Sequence, residues 1–290
     1  RDERGLLHIG LGDWCPVGKA PSEYDAPLEF TDTVCVMDCA KKAVEMFRAV
    51  GYTEQAAFAD TIYTSLRGAI REHLIDFSTM TVLGSCQSAQ ALAIALNVFE
   101  PSEKSEAFTR LIEFIEMREE HLDTGFYGAR YLFGVLSDFG AEELAYHMIT
   151  RTDAPSFGYW AEKGATTLYE SFDRDGQCGA SLNHHFWGEY SAWFMQVILG
   201  ITVNPKLTDP KNVDIAPKFL EKLEYAEGYY DTVCGKLSVS WKRESEGIFL
   251  SLTVPEGIYG VVKLPFGWRF EQNDHAYGAL VSGNYRLKAL

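Results

Sequence analysis

Several hallmarks of common functional classes are absent from this sequence of 290 residues. No run of 18 or more uncharged apolar residues occurs, which argues against a membrane-spanning helix. There is no Gly-x-x-x-x-Gly-Lys-Ser/Thr phosphate loop, and Gly10-x-Gly12 lacks the third glycine of a dinucleotide-binding fingerprint. No pair of cysteines has the Cys-x-x-Cys spacing of zinc ribbons or thioredoxin-like sites, because the six lie at positions 15, 35, 39, 86, 178 and 234. The sequence therefore predicts neither a cofactor nor a metal.

Basic residues are outnumbered by acidic ones. Lys and Arg total 26 against 41 Asp and Glu, which gives a net charge of -15. A surface with this charge repels DNA and other polyanions, so we expect neutral or weakly charged substrates, and neither nucleic acid nor a membrane as a partner. With 47% hydrophobic residues, the chain is long and apolar enough to bury a core rather than remain disordered.

The cysteine positions favour small buried thiols in a reducing cytosol, and a metal site or a disulfide is the alternative. Cys35 and Cys39 are four residues apart on a predicted helix, where they share a face. The chain begins with Arg1 and not with methionine. We interpret it as a processed product or a piece of a longer protein, which leaves open whether that protein is exported.

Apolar residues recur at helical spacing through the first 200 residues, with stop signals such as Gly51 after them. The predicted helices cover residues 31–50, 53–74, 85–98, 102–118, 126–139, 141–150, 159–170 and 186–199. Short connectors alternate with longer polar or glycine-bearing ones, as stacked helical hairpins require. Function is expected at the end of the bundle where the long loops gather.

The composition changes after Gly200. Alternating or apolar runs at residues 236–241, 248–254, 259–264 and 277–287 predict strands, and turn residues separate them. We expect a small antiparallel sheet domain, built as a sandwich. The predicted domains are therefore a helical one over residues 1–205 and a β domain over residues 206–290.

A carboxylate and a histidine form the candidate active-site wall. Glu170 ends the predicted helix 159–170, and His184 follows a long glycine-bearing loop at the same end of the bundle. A carboxylate beside a polar turn is suited to meet a sugar ring or a water molecule. Trp14 and Trp160 are assigned to loops, where a flat indole face can lie under a sugar ring.

Two short motifs mislead. Asp123-Thr124-Gly125 matches the aspartic-protease tripeptide, but that chemistry needs two such loops on β-structure and here there is one, between helices. Asp173-x-Asp175-Gly176 is similar to the opening of a calcium loop, but Leu182 stands where its last acidic ligand belongs. An Asx-turn is the favoured interpretation.

Five motifs, in order, resemble those of the α-L-rhamnosidases of glycoside hydrolase family 78. They are Gly10-Leu11-Gly12-Asp13-Trp14, Asp123-Thr124-Gly125-Phe126-Tyr127-Gly128 with Tyr131-Leu132, Pro155-Ser156-Phe157-Gly158-Tyr159, Gly164-Ala165-Thr166-Thr167-Leu168-Tyr169-Glu170 and Ser181-Leu182-Asn183-His184. The segment from Tyr229 to Lys242 is similar to the opening of the β-sandwich that follows the family's barrel. The resemblance covers the whole chain.

The resemblance implies a mainly α chain that forms part of an (α/α)6 barrel and hydrolyses terminal α-L-rhamnose with inversion. Glu170 matches the family's general base, and His184 matches its sugar-binding histidine. Asp13 and Trp14 match its pocket loop, whereas Trp160 is supported only by its assignment to a loop. The implied partner is a rhamnose-containing carbohydrate.

Two departures from the family pattern bear on activity. Tyr169 replaces the usual tryptophan before the base, and the upstream Asp-Glu-Arg acid motif is missing, since Gly5 and its successors do not continue Asp2-Glu3-Arg4. Eight predicted helices also fall short of the twelve in the barrel. We therefore expect the C-terminal part of a larger rhamnosidase, without its general acid. The alternatives are an inverting glycosidase for another sugar and a non-catalytic sugar-binding module.

Overall fold

The structure is a computed structural model that describes residues 1–20, 22–172, 181–203 and 209–290. These residues form two compact units, Arg1–Glu189 and Tyr190–Leu290. The predicted domain boundary between residues 205 and 206 stays a prediction, because residues 204–208 lie outside the described ranges.

Helical hairpins build the first unit, as predicted. Within the described ranges the chain has eight α-helices: α1 (Leu28–Ala49), α2 (Thr53–His73), α3 (Gln87–Ala95), α4 (Lys104–Glu116), α5 (Phe126–Asp138), α6 (Glu142–Thr150), α7 (Phe157–Glu162) and α8 (Glu189–Trp193). Helix α1 packs against α2, α3 against α4 and α5, and α5 against α6. Gly51 and Gly140 adopt φ values of +80° and +79° just after α1 and α5, and this left-handed conformation ends each helix.

Two predicted helices are wrong in extent. The helix predicted over residues 159–170 is α7, which ends at Glu162 because Gly164 takes a φ of +80° and its amide bonds back to Ala161. Glu170 therefore lies beyond the helix. The helix predicted over residues 186–199 begins only at α8 and continues as a π-helix, Phe194–Ile198.

A short β-hairpin occupies the connector between α2 and α3. Its strands are β1 (Ile75–Asp76) and β2 (Thr81–Val82). The fully buried Gln90 of α3 fixes this hairpin, because its amide accepts from the Val82 N–H and donates to the carbonyls of Met80 and Ala107. The sequence predicts only a loop for this connector.

Two sheets build the second unit. Their strands are β3 (Ile201–Val203), β4 (Val213–Ile215), β5 (Tyr225–Thr232), β6 (Gly235–Glu244), β7 (Gly247–Thr253), β8 (Val261–Lys263), β9 (Trp268–Phe270), β10 (Tyr277–Ala279) and β11 (Gly283–Ala289). The orders are β10-β8-β4-β3 and β5-β6-β7-β11-β9. The predicted antiparallel pairing is confirmed except where β4 runs parallel to β8. The strand predicted over residues 277–287 is two strands, β10 and β11, in different sheets.

Alternation along β6 and β7 defines the core of the second unit. Leu237, Val239 and Trp241 of β6 are buried, and so are Leu250 and Leu252 of β7. The residues between them face the other side of the sheet, as the two-residue period of a strand requires. At the edge strand β5, a Cβ on Gly228 would stand 2.4 Å from a methyl of Leu199, so only glycine fits there.

The cysteines depart from expectation in part. Buried thiols are confirmed for Cys15 and Cys86, but Cys35 and Cys39 are exposed on α1, so the prediction of buried thiols is wrong for this pair. Cys178 and the turn predicted at residues 173–176 lie outside the described residues. None of the described helices is both long and apolar enough to cross a membrane.

Candidate active site

The carboxylate of Asp13 caps helix α5 from a distant loop. One of its oxygens accepts from the Gly128 N–H at 2.9 Å, and the other accepts from the Gly125 N–H at 2.7 Å and from the hydroxyl of Ser88. The side chain is only 2% exposed. Both oxygens are engaged and shielded, so Asp13 fixes the start of α5, and its predicted contact with a sugar stays a prediction.

Burial raises the pKa of Asp13, and the hydrogen bonds from Ser88 and from the amides of Gly128, Gly125 and Tyr127 act against that rise. The amides belong to the first turn of α5 and to the residue before it, where the helix dipole also favours an anion. A buried carboxylate is tolerated here because four donors meet it.

The loop that carries Trp14 reaches the same helix start through its backbone. The Trp14 carbonyl accepts from the Phe126 N–H at 3.0 Å. A Cβ on Gly125 would lie 2.5 Å from this carbonyl and 2.3 Å from that of Asp13, so a side chain at position 125 would push the loop away. The glycine of the Asp-Thr-Gly tripeptide is thus explained by close packing, and Trp14 itself is half-buried.

Glu170 lies beyond α7 in a segment without regular secondary structure, where it pairs with Ser181. The Glu170 N–H donates to the Ser181 carbonyl at 2.8 Å, and the Ser181 N–H donates to Oε2 of Glu170 at the same distance. The indole Nε1 of Trp187 donates to the Glu170 carbonyl at 3.2 Å. The backbone and one carboxylate oxygen are therefore fixed, while 25% of the side chain remains exposed.

The structure brings His184 next to Glu170. Its imidazole Nδ1 lies 3.6 Å from Oε2 of Glu170. The backbone N–H of His184 donates to the Leu168 carbonyl at 2.8 Å. The imidazole stacks on Phe126 with ring centroids 5.5 Å apart and meets the edge of Phe186 at 4.5 Å. Phe126 connects the start of α5, which Asp13 caps, to the histidine beside the carboxylate.

The structure contradicts the assignment of Trp160 to a loop. This residue lies in α7 and is 2% exposed, so it offers no indole face to a sugar. It stacks on Phe172 with centroids 4.1 Å apart and packs against Phe157 and Tyr169. Trp160 belongs to the aromatic core behind Glu170, because a helix start capped by Ser156 turns it inward.

Sequence reasoning missed the residues that hold Glu170. Trp187 was included in a predicted helix, but its indole supports the Glu170 carbonyl and packs on Phe126 and Phe172. Ser181 was quoted only as part of a motif. Its position eleven residues after Glu170 gives no periodic signal, since the contact arises from the return of a loop.

A further acid, Asp123, is buried in the connector before α5. Its Oδ2 accepts from Nε of Arg118 at 2.9 Å, while Oδ1 is buried with no hydrogen-bond partner among the described residues. Burial raises the pKa of Asp123 to about 6 despite the opposing effect of Arg118. In the sequence, Asp123 belongs to the misleading aspartic-protease tripeptide, and only its burial in the structure distinguishes it.

Comparison with known proteins agrees with this architecture. Residues 1–198 match the bacterial alpha-L-rhamnosidase 6 hairpin glycosidase domain, and residues 206–277 match the bacterial alpha-L-rhamnosidase C-terminal domain. An alpha-L-rhamnosidase of Alteromonas sp. (strain LOR) is 31% identical over 261 residues, which are 86% of this chain and 28% of that protein. One from Streptomyces avermitilis is 29% identical over 286 residues, 96% of this chain and 27% of that protein.

Solved structures show the same similarity. The Streptomyces avermitilis alpha-L-rhamnosidase complexed with L-rhamnose superposes with a TM-score of 0.86 at 26% identity, covering 100% of this chain and 29% of that one. The Aspergillus terreus enzyme gives a TM-score of 0.86 at 20% identity, over 99% of this chain and 34% of that one, and supports the fold alone. This chain spans only 27 to 28% of the length of these first curated relatives. It belongs to the bacterial alpha-L-rhamnosidase family, with the six-hairpin glycosidase domain of that family followed by its C-terminal domain.

Proposed function

We propose that the protein containing this chain removes terminal α-L-rhamnose from glycosides or polysaccharides with inversion, and that Glu170 is its general base. The observation that carries the proposal is the geometry of Glu170. Its backbone and Oε2 are held by Ser181, yet a quarter of the side chain is exposed at the loop that also presents His184. The relatives' names supply the sugar.

An inverting reaction needs a base that takes a proton from water and an acid on the opposite face of the sugar, roughly 6.5 to 9.5 Å away. Among the described residues, Oε1 of Glu170 makes no hydrogen bond, so this oxygen is the one we assign to the water. The Ser181 N–H holds Oε2, which orients the carboxylate so that Oε1 can face the water.

His184 and Trp14 complete this half of the pocket in our proposal. The imidazole is 20% exposed and held between Phe126 and Glu170, so it can donate to or accept from a sugar hydroxyl without moving. Trp14 is half-buried on the loop tied to the start of α5. Its exposed part is the aromatic surface we assign to the apolar side of the ring.

We place the general acid in the portion of the protein that precedes this chain. Six hairpins contain twelve helices, and the described residues here contain eight. The chain also covers less than a third of its relatives. The upstream portion is therefore the partner that completes the barrel, and this chain alone should not hydrolyse a rhamnoside.

The test is Glu170→Gln in the complete protein, assayed on an aryl α-L-rhamnoside and on the matching glucoside and fucoside. We expect a fall in kcat of about 10²- to 10⁴-fold with KM little changed, because the amide cannot accept the proton. The matched control is Glu162→Gln, at the exposed end of α7, which should keep full activity.

Proton NMR of the rhamnose first released measures the stereochemistry of the reaction. With inversion, this product should be the β anomer. A Glu170→Gln enzyme that turns over normally would remove the base assignment. Hydrolysis of the glucoside or fucoside instead of the rhamnoside would favour another sugar, and binding of rhamnose without any turnover would favour a sugar-binding module.

A further inference from the structure

The five-stranded sheet carries a polar groove of about 400 Å³ on the face opposite its core. The groove runs over the central strands β6 and β7, and its lining includes four hydroxyl side chains. These are Ser238 and Ser240 on β6, and Ser251 and Thr253 on β7. None of the four hydroxyls makes a hydrogen bond to protein in the described part of the chain, so all four can bind a ligand.

Register places the hydroxyls in a regular grid. Ser240 pairs directly with Ser251, and Ser238 pairs with Thr253, so these side chains stand side by side on one face. Neighbours lie about 5 Å apart across the strands and about 7 Å apart along them, which is comparable with a single pyranose ring. Sugar hydroxyls both donate and accept, as serine and threonine hydroxyls do.

Larger side chains from β5 form one wall of the groove. Glu227 pairs with Ser240, and Tyr229 pairs with Ser238, so both extend the two rows of the grid by one residue. Tyr229 is 52% exposed, and Nζ of Lys236 lies 3.8 Å from the centre of its ring. Lys236 pairs with Asp231, at the end of β5 away from Glu227.

The next row of the same face lies outside the groove lining. Tyr225, Lys242, Phe249 and Arg286 are paired in series across β5, β6, β7 and β11. These are long side chains, whereas the four hydroxyl residues at the grid centre are short. The floor of the groove is therefore made of short polar side chains.

The chemistry selects among possible ligands. Strands β6 and β7 are paired on both sides, so no backbone group there can bind an extended peptide. Glu227 disfavours a polyanion, as does the net charge of -15. Among the lining residues Glu227 is the charged one, and with it stand a tyrosine ring and four hydroxyls that make no protein hydrogen bond in the described residues, a set that fits a neutral polyhydroxylated ligand.

We propose that this face of the C-terminal unit is a binding site for a neutral saccharide chain, recognised by the hydroxyl grid and by the ring of Tyr229. The site lies entirely on β5, β6 and β7, and contains none of the residues assigned to hydrolysis. It adds carbohydrate binding to the C-terminal unit, whichever sugar the helical unit processes.

The test is affinity gel electrophoresis of the 290-residue chain in gels containing a neutral rhamnan, a neutral arabinogalactan, a neutral β-glucan or, as a charged comparison, polygalacturonate. We expect at least one neutral polysaccharide to retard the chain. Tyr229→Ala should weaken the interaction about tenfold or more, and Ser240→Arg should abolish it by filling the groove. Tyr277→Ala, an exposed tyrosine on β10, is the matched control and should bind normally.

Thermal unfolding of each variant distinguishes loss of binding from loss of fold. If Ser240→Arg does not fold, Tyr229→Ala still tests the proposal. Retardation by none of the neutral polysaccharides, or equal retardation of the Tyr229→Ala chain, would overturn the proposal. So would retardation by polygalacturonate alone. His184→Ala should leave this binding unchanged, and its loss in that variant would place the binding at the candidate active site instead.

Discussion

The two units differ in what they bury. Ten polar or charged residues are buried in the part of the chain that the structure describes, and all belong to the helical unit: Asp13, Thr31, Asp32, Thr33, Gln87, Ser88, Gln90, Asp123, Thr124 and Ser156. The buried side chains described in the β unit are all apolar, as in the row Leu237, Val239 and Trp241. The β unit is therefore stabilised by the packing of apolar side chains that alternate along its strands. The helical unit is stabilised by apolar packing and, in addition, by specific polar contacts.

The two units differ because the loops of the helical unit are buried, whereas the strands of the β unit are paired. In the helical unit, loops and helix starts are buried together, so their backbone N–H and C=O groups need partners from side chains. Asp13 and Gln90 supply those partners for α5 and for the β1–β2 hairpin. In the β unit, sheet pairing satisfies the backbone of the paired strands, and the Trp241 and Arg243 side chains bond carbonyls outside those strands. A polar interior therefore marks the unit that has to fix loops in place, and Glu170 is on one of these loops.

The strongest way to test this contrast is Asp13→Ala. It leaves the amides of Gly125 and Gly128 and the Ser88 hydroxyl without their acceptor, so we expect a loss of about 3 to 5 kcal/mol from the free energy of unfolding of the helical unit. Urea unfolding followed by circular dichroism measures it. The control is Asp25→Ala, which removes only an ion pair with Lys19 and should cost less than about 1 kcal/mol. Equal effects of the two substitutions would show that the cap is not essential.

The second test uses pH and Asp123. Its folded pKa of about 6 lies above the ordinary value of 3.8, so its contribution to stability is fully present below pH 3.8 and is lost as the pH rises through 6. Between pH 4 and 6, the native chain should lose up to about 3 kcal/mol of stability relative to Asp123→Asn, which does not titrate. Asp231→Asn, on the exposed β5, is the control. A constant difference between Asp123→Asn and the native chain across this range would contradict the assignment.

Most of the fold prediction rests on the alternation of apolar residues in strands and on their helical spacing in helices. The first six helices, and strands β6 and β7, follow from patterns of apolar residues along the chain. The helix predicted through Glu170 is wrong in extent because apolar residues continue past Gly164, whereas the helical backbone ends before it. The signal was present in that glycine and in the β-branched Thr166 and Thr167, which lower helix propensity.

The sequence predicted residues of the candidate site, but not their burial or the long-range contacts that hold them. Motifs that resemble a known family pointed to Glu170 and His184, and the structure brings these two together. The motif gave no sign that Asp13 is buried, and the separate assignment of Trp160 to a loop is wrong, because one sequence does not reveal whether a carboxylate or an indole is buried. Asp13 is bonded to a helix more than a hundred residues away, and no local pattern reports such a contact.

The smallest expected effect tests the β unit, where a single buried polar contact can be isolated. The indole Nε1 of Trp241 donates to the Ile198 carbonyl at 2.9 Å, and Trp241→Phe leaves that carbonyl without its partner. Trp268, which is only half-buried, serves as the comparison, since both indoles meet the edge of Phe219 at 5.3 to 5.4 Å and Trp268 makes no indole hydrogen bond in the described residues. Urea unfolding should show a cost for Trp241→Phe that exceeds the cost for Trp268→Phe by about 1 kcal/mol. Because only one such bond is lost, this difference should stay well below the effect of Asp13→Ala, and a larger one would mean that the β unit also depends on polar contacts in its core.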